Sequence, residues 1–348
     1  MKRILCILCA ITLLGGLFAM PAFAQPIDWE NTRPVADINL RDPCVLAHGG
    51  LYYVYGTGAA WPGYGCWVSR DLENWAGPFR VYTPPAGHDG MDCWWAPECH
   101  EYEGKFYLFA SYKSRELGLR RSSIFRADSP LGPFEEIFDI HSYPAGWDAI
   151  DGTLYIDREG QPWMVFVHEW TSMPDGIGDF SAARLSEDFS QLIDEPILLF
   201  RACALSFASG NSVTDGCWLY RSETGRLIML WSGFNNGYCV AQAVSLSGEI
   251  AGPWVQCPVL LYGRNGVYSL DGGHGSLFTG PEGALTMGIH SPNGRPDGLF
   301  EAPAFFEVLD KGASLTLKGN SVPWLRSPVM MLWNAAVWVM CGVYGLFN

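Results

Sequence analysis

The sequence predicts an all-β fold, a five-bladed β-propeller that spans residues 25–320. Long segments with helical periodicity are missing, and short runs of β-branched and aromatic residues alternate with Gly, Pro, Asn and Asp. One unit recurs along the chain: a polar residue, a short strand, a glycine turn and an aromatic strand. The polar residues that begin the five units are separated by 56, 53, 64 and 59 residues: Asp42, Glu98, Asp151, Asp215 and His274. A β-sandwich, the alternative fold, does not require such even spacing.

The five units follow one another from the N-terminus. They read "RDPCVLAHGGLYYVYGTG" from Arg41, "APECHEYEGKFYLFASY" from Ala96, "IDGTLYIDREGQPWMVFVHEW" from Ile150, "TDGCWLYRSETGRLIMLWSGF" from Thr214 and "GGHGSLFTGPEGALTMGIH" from Gly272. Third and fourth strands follow most units, and four strands per unit are typical of a propeller blade. The innermost strand of each blade lines the central axis, so the five leading residues are expected to meet at one end of the channel.

The two ends of the chain lie outside this repeat. Residues 1–24 predict a cleaved signal peptide, with Lys2 and Arg3 before an apolar run that ends in "PAFA". The protein is therefore expected to be secreted or periplasmic, with a retained N-terminal anchor as the alternative. Residues 321–348 are predicted to be an apolar tail, uncharged from 327 onward. That stretch could span a bilayer, pack on the propeller as an extra strand or helix, or be a non-native C-terminus.

Charge and cysteine content limit the classes of partner. The net charge is -14, and it becomes -16 once the signal is removed. Such an acidic chain repels phosphates, so nucleic acid is excluded as a partner, and membrane association is expected only if the tail is an anchor. A neutral carbohydrate suits it better. Nine of the 11 cysteines remain after cleavage; one or two disulfides and buried free thiols are both compatible with that number.

The leading carboxylates have two interpretations. Aspartate before glycine or proline often only forms a turn, but its recurrence at the start of successive units favours a shared site. Three carboxylates around an aromatic-rich pocket suit glycoside hydrolysis, which needs one acid for the leaving oxygen and one base for water. Crowding of like charges raises the pKa of one carboxyl and keeps it protonated.

Five motifs resemble those that begin the blades of glycoside hydrolase family 43: "RDPCVL", "WWAPECHEYEGKFYLFASY", "AIDGTLYIDREGQPWMVF", "TDGCWLY" and "GGHGSLF". The resemblance covers roughly residues 36–310. It implies a five-bladed propeller and inverting hydrolysis of arabinose-, xylose- or galactose-containing plant polysaccharides. Terminal arabinofuranosyl or xylosyl groups are the expected substrates, because insertions at 57–66 and 171–179 favour a closed pocket.

The resemblance also implies roles for single residues. Asp42 matches the general base, Asp151 the carboxylate that raises the pKa of the acid, and Asp215 the general acid. Trp95 and Glu98 match a segment that lines the sugar pocket. His274 matches a histidine that holds a calcium ion, often through water; no cofactor is required for the chemistry.

Further residues are candidates from the sequence itself. His290, in "GIHSPN", is a candidate for substrate binding or for a structural role. Trp61, Trp94 and Trp147 are candidates for stacking on sugars or for core packing.

One residue departs from the family pattern. The family's acid is usually Glu in "E-G-P", whereas this chain has Asp215 in "D-G-C". Aspartate is shorter by about one C–C bond, roughly 1.5 Å. Either the site is adapted to the shorter acid, or Glu169 in "HEW" serves instead, or the chain is a carbohydrate-binding propeller without catalysis.

Overall fold

The computed structural model describes residues 26–202, 211–264, 267–294, 300–319 and 326–347. The predicted signal peptide lies outside these residues. The regular secondary structure of the described residues is mostly β-strand, with one long helix at the C-terminal end. Short 3-10 helices interrupt the loops at Val35–Asp37, Ile140–Ser142, Trp170–Ser172 and Pro281–Gly283.

The first sheet contains five antiparallel strands in the order β1-β5-β4-β3-β2. Its strands are β1 (Arg33–Pro34), β2 (Arg41–His48), β3 (Leu51–Thr57), β4 (Tyr64–Ser69) and β5 (Asn74–Tyr82). We call β2 to β5 group 1. Tyr55, Cys66, Val68 and Trp75 of these strands are fully buried.

The second sheet holds two further groups. Group 2 consists of β6 (Gly90–Tyr102), β7 (Lys105–Ser114), β8 (Arg120–Ala127) and β9 (Glu135–Glu136). Group 3 consists of β10 (Ala149–Ile156), β11 (Pro162–His168), β12 (Asp179–Arg184) and β13 (Ile197–Arg201). Each group is an antiparallel meander, and the two are joined by a single parallel pairing of Ala149 with Arg121.

Two separate four-stranded sheets complete the fold. Group 4 consists of β14 (Asp215–Arg221), β15 (Leu227–Phe234), β16 (Tyr238–Ser245) and β17 (Trp254–Gln256). Group 5 consists of β18 (Gly273–Thr279), β19 (Leu285–Ser291), β20 (Ala302–Asp310) and β21 (Leu315–Leu317). The first strands of the five groups, which we call the inner strands, contact one another cyclically: β2 with β6, β6 with β10, β10 with β14, β14 with β18 and β18 with β2.

Every inner strand has a β-bulge, where its register against the second strand shifts; the bulge lies at the start of β2, β10, β14 and β18 and at Trp95–Glu98 within the longer β6. One residue of each bulge has a positive φ between 43° and 55°; we call these the bulge residues: Asp42, Ala96, Asp151, Gly216 and His274. The residue before each is the pre-bulge residue: Arg41, Trp95, Ile150, Asp215 and Gly273. The expectation that the polar leaders are equivalent is therefore wrong for two of them, since Asp215 precedes its bulge residue and Glu98 lies two residues beyond Ala96.

The bulges are held by a cycle of hydrogen bonds between groups. The N–H of each bulge residue donates to a side chain of the preceding group, at 2.7–3.1 Å: Asp42 to His290, Ala96 to Thr57, Asp151 to Ser111, Gly216 to Asp151 and His274 to Ser232. Four acceptors are the register partners of pre-bulge residues. In group 3 that partner is Val167, which has no acceptor, and the carboxylate of Asp151 takes its place.

The core between the groups is aromatic, and its cysteines are unpaired. Trp75, Trp231, Tyr55, Phe109 and Phe166 are fully buried, and truncation of one such ring costs about 3–5 kcal/mol. All eight cysteines among the described residues are free thiols. No disulfide therefore forms within this part of the chain, and Cys203 lies outside it.

The C-terminal tail is a helix, α1 (Arg326–Phe347). Met330, Val337 and Cys341 are buried against the domain, whereas Leu332 and Trp338 are more than 70% exposed. Asn334 Oδ1 accepts hydrogen bonds from the backbone N–H of residue 313 and the hydroxyl of residue 314. Of the alternatives for the tail, the structure has a helix packed on the β-domain; by length and composition, residues 328–346 are also apolar enough to cross a membrane.

Ser232→Ala tests the hydrogen-bond cycle. It leaves the buried N–H of His274 without its acceptor, which we expect to lower the free energy of unfolding by about 1–3 kcal/mol. Ser190→Ala, in a surface turn where the hydroxyl meets only Ser186 and the exposed Asp188, serves as the control. Equal denaturation midpoints for the two variants would contradict the role of the cycle.

Candidate active site

A cavity of about 270 Å³ opens where the inner strands begin. Its lining has three sources. Pre-bulge residues contribute Arg41, Trp95, Ile150 and Asp215; bulge residues contribute Asp42, Asp151 and His274; later strands and loops contribute Thr57, Glu169 and Tyr238. The bulges therefore bring carboxylates from three groups, far apart in sequence, into one pocket.

Asp42 is held as an ionised carboxylate. Its Oδ2 accepts a hydrogen bond from the Thr57 hydroxyl at 2.7 Å, and its Oδ1 lies 3.4 Å from Nδ1 of His274. Burial acts to raise its pKa, but interactions with His274, His290 and Arg41 and the Thr57 hydrogen bond together outweigh burial, so the pKa of Asp42 is lowered. Asp42 is therefore a proton acceptor at neutral pH.

His290 lies behind Asp42 rather than in the cavity. It is fully buried, and its Nδ1 accepts the Asp42 N–H at 3.1 Å while its Nε2 lies 3.2 Å from Asn293 Oδ1. Burial lowers the pKa of His290 and favours this neutral form. The position is that of a residue that orients Asp42, and it offers no direct route to a substrate.

Asp151 connects the other two catalytic candidates. His274 Nδ1 lies 3.9 Å from Asp151 Oδ2, and that oxygen also accepts the Gly216 N–H at 2.9 Å. Burial raises the pKa of Asp151, and the positive charge of His274 opposes the rise. Asp151 is thus linked to the base candidate Asp42 through His274. It is linked to the acid candidate Asp215 through the N–H of the adjoining residue, Gly216.

Asp215 has the opposite protonation tendency to Asp42. It is half-buried, and its Oδ2 accepts a hydrogen bond from the Tyr238 hydroxyl at 3.0 Å. Burial, followed by the negative charge of Asp151, raises the pKa of Asp215 to about 7. The pocket therefore presents a protonated and an ionised carboxyl group at the same pH.

Glu169 is a further carboxyl in the pocket. Its Oε2 lies 2.9 Å from Nε of Arg120. Burial raises the pKa of Glu169 to about 7, although the Arg120 charge opposes this. The residue follows β11, at the same end of the domain as the bulges.

The remaining predicted residues are only partly in the cavity. Trp95 lines it, but Glu98 lies deeper, buried and 3.3 Å from His100 Nε2. The other tryptophans contact protein groups: Trp61 lies beneath Arg80, Trp94 packs on Tyr64 and Trp147 stacks on His168. Their core or packing role, one of the two expected, is the one seen here.

Four lining residues were not singled out from the sequence: Arg41, Thr57, Ile150 and Tyr238. Arg41 stands in the "RDP" motif, and Thr57 is its register partner, so a correct pairing of β2 with β3 would have indicated both. Tyr238 begins the third strand of group 4 and carries no motif. Only the structure shows that its hydroxyl meets Asp215.

The pocket has few groups that could ligate a calcium ion. His274 Nε2 is buried without a hydrogen-bond partner, but no group of three or more His, Cys, Asp or Glu residues in the described ranges is arranged to hold a metal. Calcium prefers six to eight oxygen ligands. The residues present do not fit direct ligation of the ion, and water would have to supply most of its ligands.

Comparisons with known proteins establish the family of the chain. The model of glycosyl hydrolases family 43 matches residues 31–302, and the chain belongs to that family. An endo-arabinase from Bacteroides thetaiotaomicron is 35% identical, with a TM-score of 0.72, over 81% of this chain and 99% of that one.

More distant structures share the fold alone. An endo-1,4-β-xylanase from the same organism is 24% identical (TM-score 0.67, 83% and 97% of the chains covered). An exo-1,5-α-L-arabinanase from a bovine ruminal metagenomic library is 20% identical (TM-score 0.61, 82% and 98% covered). No curated protein matches the chain.

Tyr238→Phe is expected to shift the alkaline limb of the pH–rate profile upward. The phenol stabilises the ionised form of Asp215, so its loss raises the pKa of Asp215, and the proton donor survives to higher pH. A charge-assisted hydrogen bond corresponds to about one pH unit. Tyr220→Phe, which loses a similar bond to Asp310 outside the cavity, should leave the limb in place. A downward shift in Tyr238→Phe would refute this assignment.

Gly216→Ala is expected to lower kcat/KM by about 10²-fold, because a displacement near 1 Å in a catalytic group has that effect. A Cβ at this position would lie 2.6 Å from Cδ2 of His274. Positive φ alone is tolerated by alanine here, as Ala96 shows. Gly160→Ala, with positive φ but open space around it, is the matched control. Equal steady-state kinetics in both variants would rule out the steric explanation.

Proposed function

We propose that this protein is an inverting glycosidase that removes arabinofuranosyl or xylosyl groups from plant cell-wall polysaccharides or oligosaccharides. Asp42 is the general base, Asp215 the general acid and Asp151 the modulator of the acid's pKa. The observation that carries the proposal is the opposite pKa shifts of Asp42 and Asp215 within one cavity. Separation of the two pKa values is what assigns acid and base in such a pair.

The reaction follows from these protonation states. Asp215 donates its proton to the glycosidic oxygen as the bond from that oxygen to the anomeric carbon breaks. Asp42 accepts a proton from a water molecule, and the water oxygen bonds to the anomeric carbon from the opposite face. The sugar leaves with inverted configuration, and the alcohol leaves neutral.

Asp151 acts through its neighbours in this scheme. Its negative charge keeps the proton on Asp215, and its acceptor bond to the Gly216 N–H fixes the peptide that carries the acid. One carboxylate thus sets both the protonation and the position of the donor.

The shorter acid is compatible with this mechanism. Asp215 occupies a pre-bulge position, half-buried at the cavity wall, and its carboxyl is held by Tyr238. We propose that the site is adapted to aspartate, so that the sugar binds closer to the strand than it would to a glutamate.

We also propose that the five groups are the blades of a five-bladed propeller. Cyclic contacts between the inner strands and the cycle of bulge hydrogen bonds support this arrangement. The similar endo-arabinase favours arabinan-derived substrates. A panel of arabinosides, xylosides and galactosides, with terminal and internal linkages, tests the sugar and the expected exo action.

Three further proposals concern the cofactor requirement, the cellular location and the C-terminal helix. We propose that no cofactor is required, because both proton-transfer groups belong to the chain; a water-coordinated calcium ion near His274 would stabilise the fold only. Chelator treatment that abolishes kcat would contradict this. We further propose export of the protein, with α1 as a membrane contact only if a full-length preparation needs detergent that a chain ending at residue 319, after β21, does not.

Asp42→Asn and Asp215→Asn separate the proposed roles. Asp42→Asn should lower kcat by about 10²–10⁴-fold on every substrate, because water always needs the base. Asp215→Asn should do so on xylobiose or an alkyl arabinofuranoside but only weakly on 2,4-dinitrophenyl glycosides, whose leaving group needs no proton. Asp188→Asn, in an exposed turn, is the control.

Proton NMR of the first-formed sugar checks the stereochemistry, and a retained anomer would contradict inversion. Oligosaccharide binding without turnover by the unaltered protein would instead favour the non-catalytic carbohydrate-binding propeller.

A further inference from the structure

Glu169 is a pocket carboxyl to which the mechanism above gives no role. It lines the same cavity as Asp42, Asp151 and Asp215, and its side chain is only 9% exposed. Its backbone N–H donates to the carbonyl oxygen of Asp148 at 2.9 Å, which fixes the residue where β11 ends. The backbone of Glu169 is therefore held in place at the wall of the cavity.

Arg120 is shared between two carboxylates beside the cavity. Its Nε lies 2.9 Å from Glu169 Oε2, while its Nη2 donates to Asp148 Oδ2 at 3.2 Å and to the Thr171 hydroxyl at 2.8 Å. The guanidinium carbon is 5.7 Å from the ring centre of Trp95, which also lines the cavity. Arg120 thus lies between the ring of Trp95 and the carboxylates of Glu169 and Asp148.

The hydrogen-bonding capacity of Glu169 is incompletely used. Although Arg120 Nε is close, Oε2 of Glu169 is buried and receives no hydrogen bond of adequate geometry. Asp148, by contrast, accepts bonds from Arg120 and from the Thr171 hydroxyl. A group whose role was only structural would be satisfied in the way that Asp148 is, because unmet buried acceptors are unfavourable.

We propose that Glu169, oriented by Arg120 through Oε2, is a substrate-binding residue whose carboxylate accepts a hydrogen bond from a hydroxyl of the sugar in the pocket. This rests on the proposed function, and it adds a determinant of substrate selection to it. A site built to bond a hydroxyl discriminates strongly against a sugar that lacks it, since the buried polar group is then left unpaired. Glu169 transfers no proton in this role.

Binding to a catalytically silenced protein tests the inference. In the Asp42→Asn background, short arabino- and xylo-oligosaccharides are titrated by calorimetry, with and without Glu169→Ala, Glu169→Gln or the exposed control Glu159→Ala. We expect Glu169→Ala to weaken binding at least tenfold. Glu169→Gln should stay within about threefold, because its amide oxygen can still accept the hydroxyl. Thermal melting of each variant identifies any that fail to fold.

The outcomes distinguish the two proposals. If Asp42→Asn binds the oligosaccharides and Glu169→Ala binds them equally well, the role of Glu169 is refuted while the proposed function stands. If Asp42→Asn alone binds neither sugar series, the proposed substrate class fails, and this inference fails with it. With Asp42 intact, turnover by Glu169→Gln that is lost for alkyl glycosides but kept for 2,4-dinitrophenyl glycosides would make Glu169 the proton donor and overturn its binding role.

Discussion

The fold and the pocket both depend on one local constraint, the left-handed residue at the start of each inner strand. An L-residue with positive φ is disfavoured by about 1–2 kcal/mol, and four of the five bulge residues are not glycine. Each is held because its N–H reaches an acceptor on the preceding group, so the hydrogen bonds run once around the whole domain. Where group 3 lacks an acceptor at Val167, Asp151 supplies its own carboxylate. A carboxylate with a proposed role in catalysis is therefore also part of the structural cycle.

The same constraint explains how unlike protonation states coexist in a small volume. Asp42 is at a bulge position, where His274 and the Thr57 hydroxyl meet it and stabilise its charge. Asp215 stands one residue before its bulge, where the phenol of Tyr238 is its hydrogen-bond donor and Asp151 opposes its ionisation. A difference of one position in register thus separates the environment of the proposed base from that of the proposed acid.

Much of the fold and of the candidate site could be predicted from the sequence, and what could not be predicted has a physical cause. The repeat of polar leaders predicted an all-β fold and brought Asp42, Asp151, Asp215 and His274 together correctly. A bulge adds one residue to a strand and reverses which side chains face inward, so spacing alone could not show that Glu98 lies beyond its bulge and out of the cavity. The hydroxyls of Ser111 and Ser232 were missed for a related reason. Each lies a few residues before the end of an ordinary second strand, and its importance comes only from the amide of the neighbouring group.

The bulge residues and the pre-bulge residues that line the cavity differ in how freely they can change during evolution. Bulge residues must adopt positive φ and fit against the next group, as the close approach of Gly216 to His274 illustrates. Pre-bulge residues have ordinary backbone conformations, and Arg, Trp, Ile and Asp all occupy them in this one chain. An exchange between aspartate and glutamate at position 215 therefore requires no change in backbone conformation. During evolution, a protein with this fold can therefore change the pre-bulge residues that line the cavity. The bulge residues, including the proposed base Asp42, are retained.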